Sequence, residues 1–94
     1  MSLKKNLTYK LTIKPSVKKY LLKLSKKNKK DVNIILKGIE DLINNPYNSD
    51  FLKDSQDKER KIRKGNYRIL FLIFEDEKQV EILKIGKRSN IYKK

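Results

Sequence analysis

The segment Lys61-Ile62-Arg63-Lys64-Gly65-Asn66-Tyr67-Arg68 reads as a β-hairpin. Gly65-Asn66 suits a tight two-residue turn, and apolar residues flank it on both sides. With those two residues at the turn, Lys64 falls opposite Tyr67 and Arg63 opposite Arg68. Side chains alternate along a strand, so Lys61 shares a face with Arg63. Three cations then crowd one patch of sheet. Like charges directly across a ladder are destabilising. Fold stability gives no reason for the arrangement, whereas a docked polyanion does.

Outward from the hairpin, Tyr67 to Phe74 is apolar on both faces apart from Arg68, the pattern of a central strand. Gln79 to Ile85 makes a further strand after a turn at Asp76-Glu77-Lys78, and Gly86 is expected to end it. Arg60 to Lys64 is the strand before the hairpin turn. Tyr47 to Lys58 reads as a polar loop anchored by Phe51 and Leu52. Before it, Val32, Ile35, Leu36, Ile39, Leu42 and Ile43 form a helical stripe, stopped by Asn44-Asn45-Pro46.

A shorter amphipathic helix starts at Pro15 and carries Val17, Tyr20, Leu21 and Leu24, with a polar turn expected over Ser25 to Lys30. Leu7, Tyr9, Leu11 and Ile13 alternate with Thr8, Lys10 and Thr12, giving a first strand with one buried side. The order is β-α-α-β-β-β. It predicts one α+β domain over 1–94, with two N-terminal helices packed on one face of a largely antiparallel, twisted four-stranded sheet. The other sheet face is left for function.

The chain has 94 residues, enough for one small core. Lys+Arg is 25 against 11 Asp+Glu, a formal net charge of +14. Such a chain binds phosphate backbones with strong salt dependence. An A/T-rich genome would account for many of the lysines as solvated surface. It does not account for the arginines, which lie in the second half of the chain. There is no cysteine and no histidine, which removes disulfides, thiolate chemistry and the usual general base and metal ligand. No apolar run reaches membrane-spanning length, and Met1 to Asn6 lacks the apolar core of a signal peptide, so the expectation is a cytoplasmic protein with no membrane contact. Glu40 and Asp41 read as solvated helix residues. The other carboxylates have no metal-ligand spacing, and no glycine-rich phosphate loop exists. Neither a metal nor a cofactor is expected.

Candidate site residues are Lys61, Arg63 and Arg68, on the face that also holds Leu70 and Leu72. An edge strand also carries Lys and Arg to block aggregation, and that alternative covers Lys61 and Arg63. It does not serve Arg68, because an arginine in a central strand must pair with something. A second group is Gly86-Lys87-Arg88-Ser89-Asn90-Ile91-Tyr92, where Arg88 and Tyr92 follow the last strand. They either fold over the basic face or form a basic tail with a packing tyrosine. Lys64, Lys87 and Arg88 add to the cations available for RNA. Cleavage of RNA by its own 2′-OH needs a base, stabilisation of the pentacovalent phosphate and a proton for the 5′-oxygen. Without histidine, a tyrosine or lysine of lowered pKa can be the base, and arginines can hold the phosphate bidentately.

The chain resembles the RelE/ParE superfamily of bacterial and archaeal toxins, in its RelE-like branch. The resemblance rests on Tyr9-Lys10-Leu11, Lys18 through Leu24, Ile39 through Pro46, and Leu52-Lys53. It is most specific in Arg63 through Ile69 and in Ile85-Gly86-Lys87-Arg88 followed by Ile91-Tyr92. It implies a ribosome-dependent endoribonuclease that cuts mRNA in the A site of the small ribosomal subunit, neutralised by a RelB-type acidic antitoxin. It further implies Tyr92 as general base and stacking surface. Lys61 and Arg63 would tune that base and stabilise the transition state. Arg68 would hold phosphate, and Arg88 would neutralise charge or protonate the leaving group. Position 63 is arginine where some active members have lysine, so acid–base work there would fall to Lys61. The spacing from Arg88 to Tyr92 is shorter than in some active toxins. A ParE-like inhibitor of DNA gyrase without nuclease activity, or an inactive RNA- or ribosome-binding module, are the alternatives.

Overall fold

The computed structural model describes residues 8–51 and 59–87. Leu7, Leu52, Arg88 and Tyr92, all singled out above, lie outside the described residues. The elements are β1 (Lys10–Ile13), α1 (Pro15–Lys27), α2 (Lys29–Asn44), β2 (Asp50–Phe51), β3 (Arg60–Lys64), β4 (Tyr67–Phe74) and β5 (Gln79–Lys87). They form one sheet in the order β1-β5-β4-β3-β2. All pairs are antiparallel except β1 with β5, which is parallel. The expected α+β order holds, with β4 flanked on both sides. A two-residue strand, β2, lies inside the expected loop and pairs with the outer edge of β3.

Pro15 opens α1, where its missing N–H removes no hydrogen bond. The helix runs to Lys27, so the expected polar turn over Ser25 to Lys30 shrinks to the single residue Asn28. One residue suffices because Asn28 works for both helices. Its backbone N–H donates to the Leu24 carbonyl at 2.7 Å, closing α1. Its side chain accepts from the Asp31 N–H at 3.2 Å, capping α2. The far end of α2 is closed by Asn45, whose N–H reaches Asp41 and Leu42.

The helices cover one sheet face. Val17 from α1 and Ile35, Ile39 and Leu42 from α2 meet Tyr67, Ile69, Phe71, Val80, Ile82 and Ile85 in a single buried cluster. Tyr9 and Ile13 pack against its margin. Leu11, on the same face of β1, stays 39% exposed because β1 is the outer strand there. Leu36 of the predicted helical stripe is likewise exposed. Among the described residues no helix is long and apolar enough to cross a membrane.

Candidate functional site

The hairpin register is the one read from the sequence. Lys64 pairs with Tyr67, Arg63 with Arg68, Ile62 with Ile69 and Lys61 with Leu70. Gly65 has φ +59 at the first central turn position, a backbone conformation that favours glycine. Residues directly opposite share a face. Ile62 and Ile69 therefore point to the helices, and Lys61, Arg63, Arg68 and Leu70 point to the open side. Arg63 is exposed, and Lys61 and Arg68 are half-buried. Leu70 is 7% exposed although it lies outside the helix-side cluster.

Lys64, an expected RNA-binding cation, lies on the opposite face from Lys61 and Arg63. Its pairing with Tyr67 turns it to the helix side, and its ammonium forms a 3.1 Å ion pair with Asp41. Its stem also lies against α2, since a Cβ at Gly38 would meet Lys64 Cγ at 2.9 Å. Asp41, read as merely solvated, is thus the anchor of Lys64. Lys87 pairs with Tyr67 from β5 and also belongs to the helix side. Gly86 does not end the last strand; it lies within β5, opposite Arg68.

The ladder between β4 and β5 shifts between Leu70 and Phe71, where Leu70 pairs with Lys84 and Phe71 with Ile82. This bulge places Lys84, missed in the sequence reading, on the open face. The signal was present in the spacing. Val80, Ile82 and Ile85 are the buried positions of β5, and the step of three breaks strict alternation.

The phenols are informative for acid–base chemistry. Of the five tyrosines, Tyr9, Tyr20, Tyr47 and Tyr67 lie among the described residues, and all four are held above the ordinary phenol range. Burial and a 2.6 Å hydrogen bond to Asp31 push Tyr67 up to about 12. Tyr9 and Tyr47 both donate to Glu75 Oε1, at 2.8 and 2.7 Å, and that bond raises each first. Tyr20 is raised by burial, then by the charge of Asp31. None of these four is poised to lose a proton near neutrality. Glu75 gains from the same contacts. Lys78 first, then Tyr47 and Tyr9, hold its carboxyl down at about 2.

The sequence profile described as "ParE toxin of type II toxin-antitoxin system, parDE" matches residues 11–92. The chain therefore belongs to the ParE toxin family of type II toxin–antitoxin systems, within the RelE/ParE superfamily. A protein of Methanocaldococcus jannaschii named "Putative toxin RelE4" is 32% identical over 87 residues, covering 92% of this chain and 93% of that one. The RelE–RelB complex of the archaeon Pyrococcus horikoshii OT3 is similar at TM-score 0.71 and 25% identity, covering 88% of this chain and 98% of that one. The toxin–antitoxin complex RelBE2 of Mycobacterium tuberculosis shares the fold at TM-score 0.76 and 21% identity, with 89% and 95% covered.

Proposed function

We propose that this toxin is a ribosome-dependent endoribonuclease that cleaves mRNA in the ribosomal A site. The observation that carries the reading is the Arg63–Arg68 pair, with Lys61 and Leu70 in the next register row. Two guanidinium groups held side by side match the charge and the fork geometry of a phosphodiester. Like charges in that register repel, and a phosphate bound by both guanidinium groups offsets the repulsion. The RelE name of the archaeal relative supports the same reading.

In this mechanism the ribose 2′-oxygen attacks phosphorus and the bond from phosphorus to the 5′-oxygen breaks. The products are a 2′,3′-cyclic phosphate and a 5′-hydroxyl. Arg63 and Arg68 hold the phosphate and offset the charge that builds on its oxygens. Lys61 lies one register row from both. Its role is to stabilise that charge and to favour deprotonation at the site. Tyr92 takes the proton from the 2′-hydroxyl, and Arg88 neutralises the leaving oxygen or supplies its proton. That role for Tyr92 comes from the family likeness; Tyr9, Tyr20, Tyr47 and Tyr67, whose pKa values are raised, are given no part in it. The ribosome supplies substrate positioning, which compensates for the lack of a histidine base. Lys64, paired with Asp41, is given no substrate role.

The partner we infer is a RelB-type antitoxin, acidic and with an amphipathic helix. A net charge of +14 and a sheet face carrying Lys61, Arg63 and Arg68 favour such a partner electrostatically. The RelE–RelB complex of Pyrococcus horikoshii OT3 supports an antitoxin partner.

The ParE name of the matched family favours a second reading, inhibition of DNA gyrase by binding alone. End-group analysis of mRNA recovered from translating ribosomes separates the two. New 2′,3′-cyclic phosphate ends carry the nuclease reading. Intact mRNA together with blocked supercoiling by gyrase carries the other.

A further inference from the structure

We propose that Lys84 is an RNA-backbone-binding residue, set by the β5 bulge to hold the phosphate next to the one gripped by Arg63 and Arg68. The assignment to substrate rests on the nuclease reading above.

Strict alternation along β5 would send Lys84 the same way as Val80 and Ile82, both fully buried beneath the helices. A lysine there would be an unpaired charge in an apolar core. The bulge prevents this. Ile82 faces Phe71, Lys84 faces Leu70, and Leu83 has no residue opposite. Two consecutive residues of β5 thus serve the open side, and alternation resumes with Ile85 opposite Ile69 in the core. Bulges re-aim side chains and are frequent beside active sites.

The result is two parallel rows across three strands. One is Lys61, Leu70, Lys84; the next is Arg63, Arg68, Gly86. Lys84 is a diagonal neighbour of Arg68, at a Cα separation of about 7–8 Å. Across the row from Lys61 the separation is two strand spacings, ~9–10 Å. Lys84 is exposed, and among the described residues it makes no ion pair. Glu59 and Glu81 line the same groove as Lys84, but no ion pair from Lys84 to either is formed among the described residues. The rest of the shallow groove is lined by Leu70, Leu72, Leu83 and Lys14. An ammonium on a long rotatable stem suits a phosphate whose place is set by the neighbouring one. Contacts of this type position the backbone and read no sequence.

The test is equilibrium binding of a short single-stranded RNA to the whole protein across a salt series. Lys84→Ala should weaken binding about fivefold at low salt and reduce the slope of log K against log salt by ~0.7. Lys84→Arg should restore the slope. Lys23→Ala, on the solvent side of α1, controls for general charge. Thermal melting should be unchanged by Lys84→Ala. If Lys84→Ala behaves like Lys23→Ala in slope and affinity, the proposal is overturned. If the slope falls as expected while wild-type protein leaves ribosome-bound mRNA intact, Lys84 still binds RNA and the nuclease reading fails.

Discussion

Arg63 faces Arg68 directly across the β3–β4 ladder, one pair in from the turn-closing pair Lys64–Tyr67. The hairpin holds this repulsion in place through features on its other side: Tyr67 buried against Asp31, Lys64 tied to Asp41, and Gly65 in its turn. On the proposed nuclease mechanism, stability and function oppose each other at these two residues. Arg63→Gln should raise unfolding stability by ~0.2–1 kcal/mol and lower mRNA cleavage. Urea denaturation beside a cleavage assay measures both. A variant that is both less stable and less active would mean that the pair serves the fold.

Arg68→Ala should abolish translation arrest while leaving the fold intact, as read by circular dichroism. Arg88→Ala should do the same, and Tyr92→Phe should cut cleavage by a large factor. A Tyr92→Phe protein with full cleavage would remove the phenol from the mechanism.

Gly65 can be tested without any activity assay. Its φ of +59 is a left-handed conformation, which costs an ordinary L-residue about 1–2 kcal/mol. A Cβ there would also lie 3.3 Å from Ile34 Cγ2. Gly65→Val should destabilise the protein by at least that much, and Gly65→Asn by less, because asparagine tolerates the region. Equal losses for the two would show that conformation is not the cause.

Glu75 ties together Tyr9, Tyr47 and Lys78. Its folded pKa of about 2 lies below the ordinary 4.5, so the ionised form is favoured by folding. That stabilisation is complete above about pH 4.5 and is lost as pH falls toward 2. Glu75→Gln should flatten the acid limb of a stability–pH profile in that window. An unchanged limb would show that the cluster does not contribute.

Much of this was legible in the chain. The stripe from Val32 to Ile43 marked α2 up to its stop at Asn45, and Gly65-Asn66 set the hairpin register to the residue. Both are local signals. The parallel pairing of β1 with β5 is not local, since it joins residues about seventy positions apart. The two-residue β2 is too short to carry a pattern. The single-residue break at Asn28 escaped because a polar run hides a residue that caps both helices. Lys84 escaped because period-two reading cannot register a bulge, although the spacing of Val80, Ile82 and Ile85 records it. Arg88 and Tyr92 lie outside the described residues, and their part in the site rests on the family likeness.

Primer extension on a translated mRNA, with purified toxin and with or without ribosomes, is the most direct test of the nuclease proposal. The expected result is discrete new 5′ ends that need ribosomes and vanish with Arg68→Ala. Full-length mRNA in every lane, with gyrase supercoiling blocked by the same protein, would contradict it.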